Sequence, residues 1–219
     1  MRYSKERLDE LQRLLYSAVI ADILDEIGVK DFVMDSKMKP IVNSGAVVGY
    51  ARTLYAVDVF KIPESPYQLD LEFIDSLNEG DLFIATVNGN NYNGFFGELL
   101  ATATVAHGGR GAIIDGYVRD VEKINEMGFP LYCIGTDPRD SKGRVDAILC
   151  DEPIVCAGAK VRPGDMIFAD IDGIVVIPKE HIAEVIDKAL DKVSGENVVR
   201  EELRAGVSVK AVFNKYGIL

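Results

Sequence analysis

The sequence predicts an α/β protein: a layered sheet with partial helical cover and helical segments at both ends. Three observations carry this. Near the start, Leu8, Leu11, Leu14, Leu15, Val19, Ile23 and Ile27 recur at helical spacing. The middle of the chain gathers its apolar residues into short β-branched runs bounded by glycine and asparagine. Those runs are not each followed by a regular helix, so a full doubly wound sheet is not expected. With 219 residues, 48% of them hydrophobic, the chain can bury one large core. A single domain over residues 1–219 is expected, with helical segments at 1–28 and 179–219.

Taken in order, the first helical stretch runs from Leu8 to Ile27 and stops at Gly28. Residues 40–60 turn to β-branched residues and glycines (Ile41, Val42, Gly45, Val47, Val48, Gly49) and read as strands. A short helix around Leu69–Leu77 leads to Gly80-Asp81 and a buried-looking strand, Leu82–Val87. Asn88-Gly89-Asn90-Asn91-Tyr92-Asn93-Gly94 reads as loop throughout. A helix from about Gly97 to His107 ends at Gly108-Gly109, and a strand follows at Ala112–Asp115. Asp120–Met127 reads as a short helix ended by Gly128, and Leu131–Ile134 as a strand. Pro153–Cys156, Met166–Ala169 and Ile174–Ile177 supply further strands. Residues 179–193 and 196–205 read as amphipathic helix, followed by a short tail to Leu219.

Composition narrows the function. Lys and Arg number 24 against 35 Asp and Glu, a net charge of -11, whereas a nucleic-acid binder needs cations to displace phosphate counterions. No apolar run reaches bilayer length, because Asp22, Asp115 and Asp172 interrupt the best candidates, so no membrane association is expected. The charged start, Met-Arg-Tyr-Ser-Lys-Glu-Arg-Leu-Asp-Glu, lacks a signal peptide's apolar stretch, and a cytoplasmic location is expected. Cys133, Cys150 and Cys156 are odd in number with no Cys-x-x-Cys pair, which suggests neither a disulfide framework nor a zinc site.

Several motifs carry no chemistry. Gly108-Gly109-Arg110-Gly111 follows a helix and opens a strand, the reverse of a dinucleotide fingerprint, and reads as a helix end. Asp170-Ile171-Asp172-Gly173 starts like a calcium loop without the remainder, and reads as a tight turn. His107 and His181 have no visible partners and suit helix-end or surface roles. The informative stretch is residues 94–120. Glu98 follows Gly94 and Gly97 at a helix N-terminus, where the next amides, of Leu99 and Leu100, are available to a carboxylate. Arg119-Asp120 leaves a strand, the place where open α/β structures hold ligands. Arg offers a bidentate fork for a carboxylate, and Asp a hard oxygen for a divalent cation that keeps most of its waters. By spacing alone, the pair also suits an ordinary solvated surface.

Gly97-Glu98-Leu99-Leu100-Ala101, the run from Gly111 to Asp120, and Gly128-Phe129-Pro130 resemble the class II 4-hydroxy-4-methyl-2-oxoglutarate aldolases. That family also contains the regulator-of-ribonuclease-activity-A proteins. Val161-Arg162-Pro163-Gly164-Asp165 and the run Ala169–Pro178 extend the resemblance, which covers the chain from about Ser17 to the tail. Its most specific element is an acidic residue, twenty intervening residues, then Arg-Asp, which Glu98 and Arg119-Asp120 satisfy. The resemblance implies that Asp120 holds a divalent metal, Mg2+ or Mn2+, and that Arg119 contacts a keto-acid substrate. It implies that Glu98 orders water at the metal and that the Leu99 and Leu100 amides, after Gly97, bind a pyruvyl carboxylate. A glutamate on a C-terminal helix of a neighbouring subunit also approaches those waters, and Glu196 is its match.

The fold so implied is a swivelling β/β/α domain assembled as a homotrimer or homohexamer with sites between subunits. The activity implied is metal-dependent cleavage of a 4-hydroxy-2-oxo acid to pyruvate and a carbonyl product, with oxaloacetate decarboxylation through the same enolate. A lysine Schiff base is the rival route, and only Lys160 is flanked by small apolar residues. A non-catalytic protein-binding ring like the ribonuclease regulators is the alternative, although that branch typically loses the Asp after the Arg and this chain keeps it. A methyltransferase, a third reading, lacks its glycine-rich motif here. The segments Asn88–Phe96 and Arg139–Gly143 depart from the aldolase pattern, which leaves the far end of the substrate undefined.

Overall fold

The computed structural model describes residues 2–42, 45–89 and 92–217. Strand β3 (Asp81–Thr86) sets the layering, because all of its residues are buried and its neighbours in sequence face opposite ways. Phe83 and Ala85 join a cluster with Phe73, Ile74, Ala101 and Ile124, from helices α3 (Gln68–Asp75), α4 (Glu98–Ala106) and α5 (Val121–Glu126). Leu82 and Ile84 join Ile154, Cys156, Ala159 and Val161, from the hairpin of β8 (Ile154–Cys156) and β9 (Ala159–Val161). Helices therefore cover one face of the sheet and a small second sheet covers the other, as a β/β/α layering requires.

Among the described residues the main sheet has nine strands. Its parallel centre is β2 (Val47–Asp58), β3, β5 (Ala112–Val118) and β6 (Leu131–Thr136). β1 (Lys39–Pro40) pairs antiparallel with β6, and β10 (Met166–Ala169) and β11 (Ile174–Ile177) extend the other edge. Helices α1 (Lys5–Leu14), α2 (Ser17–Glu26) and α6 (Ile182–Arg204) pack on that edge through Leu11, Ile20, Leu24, Val185 and Ile186 against Phe168 and Ile177. No described helix is long and apolar enough to cross a membrane.

Local pattern and structure part at a few places, each with a physical cause. The helical stretch expected over Leu8–Ile27 is two helices, because Leu15 and Tyr16 are extended. Long-range bonds hold that break: Tyr16 donates its hydroxyl to Glu196, and the Ser17 N–H and hydroxyl each donate to Asp170 at 2.7 Å. Asp170 thereby caps α2 from the β10–β11 turn, which explains that turn's acidic start without calcium. The two C-terminal stretches form one helix, α6, running straight through Gly195, and the expected tail contains α7 (Val209–Tyr216). Three strands were not expected: β7 (Val145–Cys150), which pairs with β2, β9, which pairs with β8, and β4 (Gly94–Phe96), which begins where the loop reading ends. Asn90 and Asn91 of that loop lie outside the described residues.

Candidate active site

One short strand pairing makes the site. β4 lies parallel to β5 with Phe96 opposite Val118, and the Arg119 N–H donates to the Phe96 carbonyl at 2.9 Å. Residues 22 apart in sequence thus emerge side by side, Gly97–Leu100 entering α4 and Arg119–Asp120 entering α5. The turn is tight. A Cβ on Gly94 would sit 2.6 Å from the Asp137 carbonyl oxygen, and one on Gly97 would sit 2.8 Å from an Asp120 carboxylate oxygen and 3.3 Å from Arg119 Nε. Beneath it, Phe73, Phe83, Phe96 and Phe129 form a chain of ring contacts with centroids 5.1, 5.2 and 6.0 Å apart, which braces β4 against α3.

Asp120 occupies the N-cap of α5 in the left-handed region (φ 59°), costly for a residue with a Cβ, yet its side chain makes no capping bond there. Its carboxylate instead accepts the Glu98 N–H at 3.3 Å. The conformation therefore directs Asp120 away from its own helix and toward the start of α4. Gly97, the N-cap of α4, offers no side chain, and the Leu99 and Leu100 N–H groups in that first turn have no intrahelical acceptor. Arg119 lies 3.7 Å from Asp120 and 3.6 Å from Asp140, ion pairs longer than hydrogen bonds, so its guanidinium fork remains available to a ligand.

Gly97, Leu99, Leu100, Arg119 and Asp120 line one cleft of ≈ 340 Å³. The rest of its lining comes from Tyr67 and Asp70 at the start of α3, which the sequence reading did not assign, and from Asp140 and Ser141 of the Arg139–Gly143 segment that departs from the aldolase pattern. Tyr67 donates its hydroxyl to both Asp140 carboxylate oxygens, at 3.0 and 3.1 Å. Asp70 is buried, and burial, with the Asp146 charge nearby, raises its pKa from 3.8 to about 6. Its helix also carries Gln68, Glu72 and Asp75, so nothing in the sequence singles Asp70 out.

The other candidates stand elsewhere. Glu98 is turned along its helix, accepting the Thr102 hydroxyl at 2.8 Å, beside the cleft and not in its lining. Glu196 accepts the Tyr16 hydroxyl and faces Arg200 at 3.9 Å, against α2 rather than along this chain's cleft. His107 pairs with Asp75 at 3.4 Å, and His181 lies 3.8 Å from Glu184. Lys160 is exposed on β9, outside the cleft. Burial pushes the Cys133 thiol up to about 12 and that of Cys156 well above its ordinary value, which makes both inert.

A divalent ion of the kind the resemblance implies would depend on Asp120. Among the described residues no group of three or more His, Cys, Asp and Glu side chains gathers as a metal cage. The donor at this turn is a single hard oxygen ligand, and the space beside it exists only because Gly97 has no Cβ. That suits magnesium or manganese held by one carboxylate and several waters, and it does not suit zinc, which prefers nitrogen and sulfur.

This chain is 30% identical over 186 residues to a Halalkalibacterium halodurans protein provisionally named a 4-hydroxy-4-methyl-2-oxoglutarate aldolase, across 82% of this chain and 80% of that one. It is 27% identical over 208 residues to Protein DlpA of Legionella pneumophila, across 94% of this chain; it spans only 33% of that relative's length. Among solved structures, RraAS2 of Streptomyces coelicolor is described as an unusual member of the RNase ES inhibitor RraA protein family. It aligns with a TM-score of 0.78 at 28% identity, over 91% of this chain and 98% of that one. The family model for RraA-like proteins, described as Aldolase/RraA, matches residues 17–176, and this chain belongs to that family.

Proposed function

We propose that the protein is a divalent-metal-dependent lyase that cleaves a 4-hydroxy-2-oxo acid to pyruvate and a carbonyl product, and that also decarboxylates oxaloacetate. The observation that carries this reading is the strand pairing that brings the free first-turn amides of α4, the Arg119 fork and the Asp120 carboxylate to one cleft. The Leu99 and Leu100 N–H groups bind the substrate's C1 carboxylate at the positive end of the helix. Asp120 would hold the ion, with water completing its shell, and the ion when bound supplies Lewis-acid polarisation of the keto group.

The retro-aldol step breaks the C3–C4 bond. The C4 hydroxyl loses its proton as its oxygen becomes the carbonyl of one product, and the bond's electron pair passes to the pyruvyl fragment as an enolate. Arg119 lies where that negative charge develops and stabilises it. Glu98, through water, takes the hydroxyl proton. A proton added at C3 then completes pyruvate. Oxaloacetate passes through the same enolate, with carbon dioxide as the leaving part and no hydroxyl to deprotonate.

The non-catalytic ring remains the alternative, and the retained Asp120, held in a costly backbone conformation, favours the enzyme. Pyruvate release from a panel of 4-hydroxy-2-oxo acids and oxaloacetate, with EDTA and then with added magnesium or manganese, tests the reading. Metal-dependent release supports it. No release above the metal-only background rejects it.

The active unit is a homotrimer or homohexamer, in which Glu196 reaches a neighbouring cleft. Support comes from Glu196's position outside its own cleft and from the exposed Val198, Val209 and Phe213 on the C-terminal helices. Light scattering should give a trimer or larger; a monomer at working concentration removes the role of Glu196.

A further inference from the structure

Arg119 stands between two carboxylates. Its Nε lies 3.7 Å from Asp120 and its Nη1 lies 3.6 Å from Asp140. Neither contact is a hydrogen bond, and a side chain 36% exposed keeps much of its rotamer freedom unless its neighbours restrict it. In the proposed reaction Asp120 faces the ion, which leaves Asp140 as the carboxylate beside the guanidinium.

Asp140 is fixed more firmly than the arginine it faces. Tyr67 donates its hydroxyl to both Asp140 carboxylate oxygens, and Arg144 Nη1 donates to the Asp140 carbonyl at 2.9 Å. One residue earlier, the Arg139 carbonyl accepts the Gly94 N–H at 2.8 Å, which docks the segment on β4. Burial and the bond to Asp140 raise the Tyr67 pKa, so the hydroxyl stays a donor. Tyr67 holds a left-handed backbone (φ 66°) at the N-cap of α3 and makes no side-chain capping bond there. Of the described non-glycine residues with positive φ, Tyr67 and Asp120 are the two that line this cleft. Costly conformations persist where the surroundings hold them, and here both bring a side chain to bear on Arg119 or its partner.

We propose that Tyr67 and Asp140 are a positioning pair for Arg119: Tyr67 fixes the Asp140 carboxylate, and Asp140 holds the guanidinium turned toward the pyruvyl half of the substrate. The pair touches no reacting atom and acts through the arginine. The direction of its effect separates it from a simple charge. A carboxylate near an anion opposes binding, so if charge alone mattered, removing that of Asp140 would tighten binding. Loss of positioning weakens it.

This role rests on the proposed lyase reaction, and the experiment keeps the two apart. The magnesium-loaded full chain is titrated with oxalate, which has the charge and planar shape of pyruvate enolate, and pyruvate release from oxaloacetate is measured alongside. Asp140→Asn and Tyr67→Phe should each weaken oxalate binding by about tenfold and lower kcat by a similar factor. In an Arg119→Ala background neither substitution should weaken oxalate binding further. Tyr67→Phe keeps the ring and the charge balance, so it carries the test alone if Asp140→Asn folds poorly. Unchanged or tighter oxalate binding in a folded variant overturns the positioning role. So does a full tenfold loss that persists without Arg119. A lower melting temperature with wild-type oxalate affinity also overturns it, leaving the pair as a pin between α3 and the segment after β6. A wild-type chain that releases no pyruvate overturns the lyase reading, and the positioning role with it.

Discussion

The two walls of the cleft are built in opposite ways. The wall of Gly97–Leu100 and Arg119–Asp120 offers donors and comes from two strand exits joined by one parallel pairing, β4 on β5. The wall of Tyr67, Asp70, Asp140 and Ser141 offers mostly acceptors and comes from α3 and the segment after β6. The two walls thereby come from separate pieces of chain that touch where Arg119 lies 3.6 Å from Asp140. Away from that contact each should be alterable without the other, and mutations test that separation.

The largest effects should come from the donor wall. Asp120→Asn and Arg119→Ala should each lower metal-dependent pyruvate release by about a thousandfold. Both side chains are more than a third exposed, so the melting temperature should hardly move. If Asp120→Asn keeps the wild-type rate, Asp120 serves only the start of α5. Glu98→Gln should cut retro-aldol cleavage about a hundredfold while reducing oxaloacetate decarboxylation only a few-fold, because the second reaction has no hydroxyl proton to remove. Equal losses in the two reactions would remove its role as base. Gly97→Ala should cost up to about a hundredfold in cleavage by displacing the Asp120 carboxylate and Arg119. A wild-type rate in that variant would mean that the close approach of Gly97 to Asp120 plays no part in cleavage.

The contrast also explains what was legible in the sequence. Gly97, Leu99, Leu100, Arg119 and Asp120 announce themselves because a glycine, a helix start and a charged pair at a strand exit are local patterns with local causes. The strands β3, β5, β10 and β11 are legible for the same reason, being short apolar runs buried on both faces. β7 is not, since Asp146, Ile148 and Leu149 break the expected alternation on a strand at the sheet's margin. Nor is the acceptor wall. Tyr67 and Asp140 are 73 residues apart and meet only through tertiary structure, and nothing near Asp70 in sequence marks it as buried. The break between α1 and α2 is hidden likewise, because Glu196 and Asp170 hold it from far along the chain.

The smallest predicted effect concerns stability, and it is confined to the acceptor wall. Asp70 has a native pKa of about 6 against an ordinary 3.8, raised first by burial and then by Asp146. A carboxyl whose pKa is raised by folding holds its proton in the native state after the unfolded chain has released it. Its contribution is therefore fully present below about pH 4 and lost as pH rises through about 6. Asp137 works in the opposite sense: Arg139 holds it down at about 2, so its contribution is lost only in stronger acid, outside this window. Asp70→Asn should then match the wild type near pH 4 and exceed it at pH 7–8 by on the order of 1–2 kcal/mol. Thermal unfolding across pH 4–8 measures the difference, and Asp146→Asn should reproduce part of it without adding fully, since the two carboxylates share one interaction. A difference that stays constant with pH would show that Asp70 is not charged against its surroundings at neutral pH. The donor wall carries no such buried charge, so the same pH series on Arg119→Ala should leave the window between pH 4 and 6 unchanged.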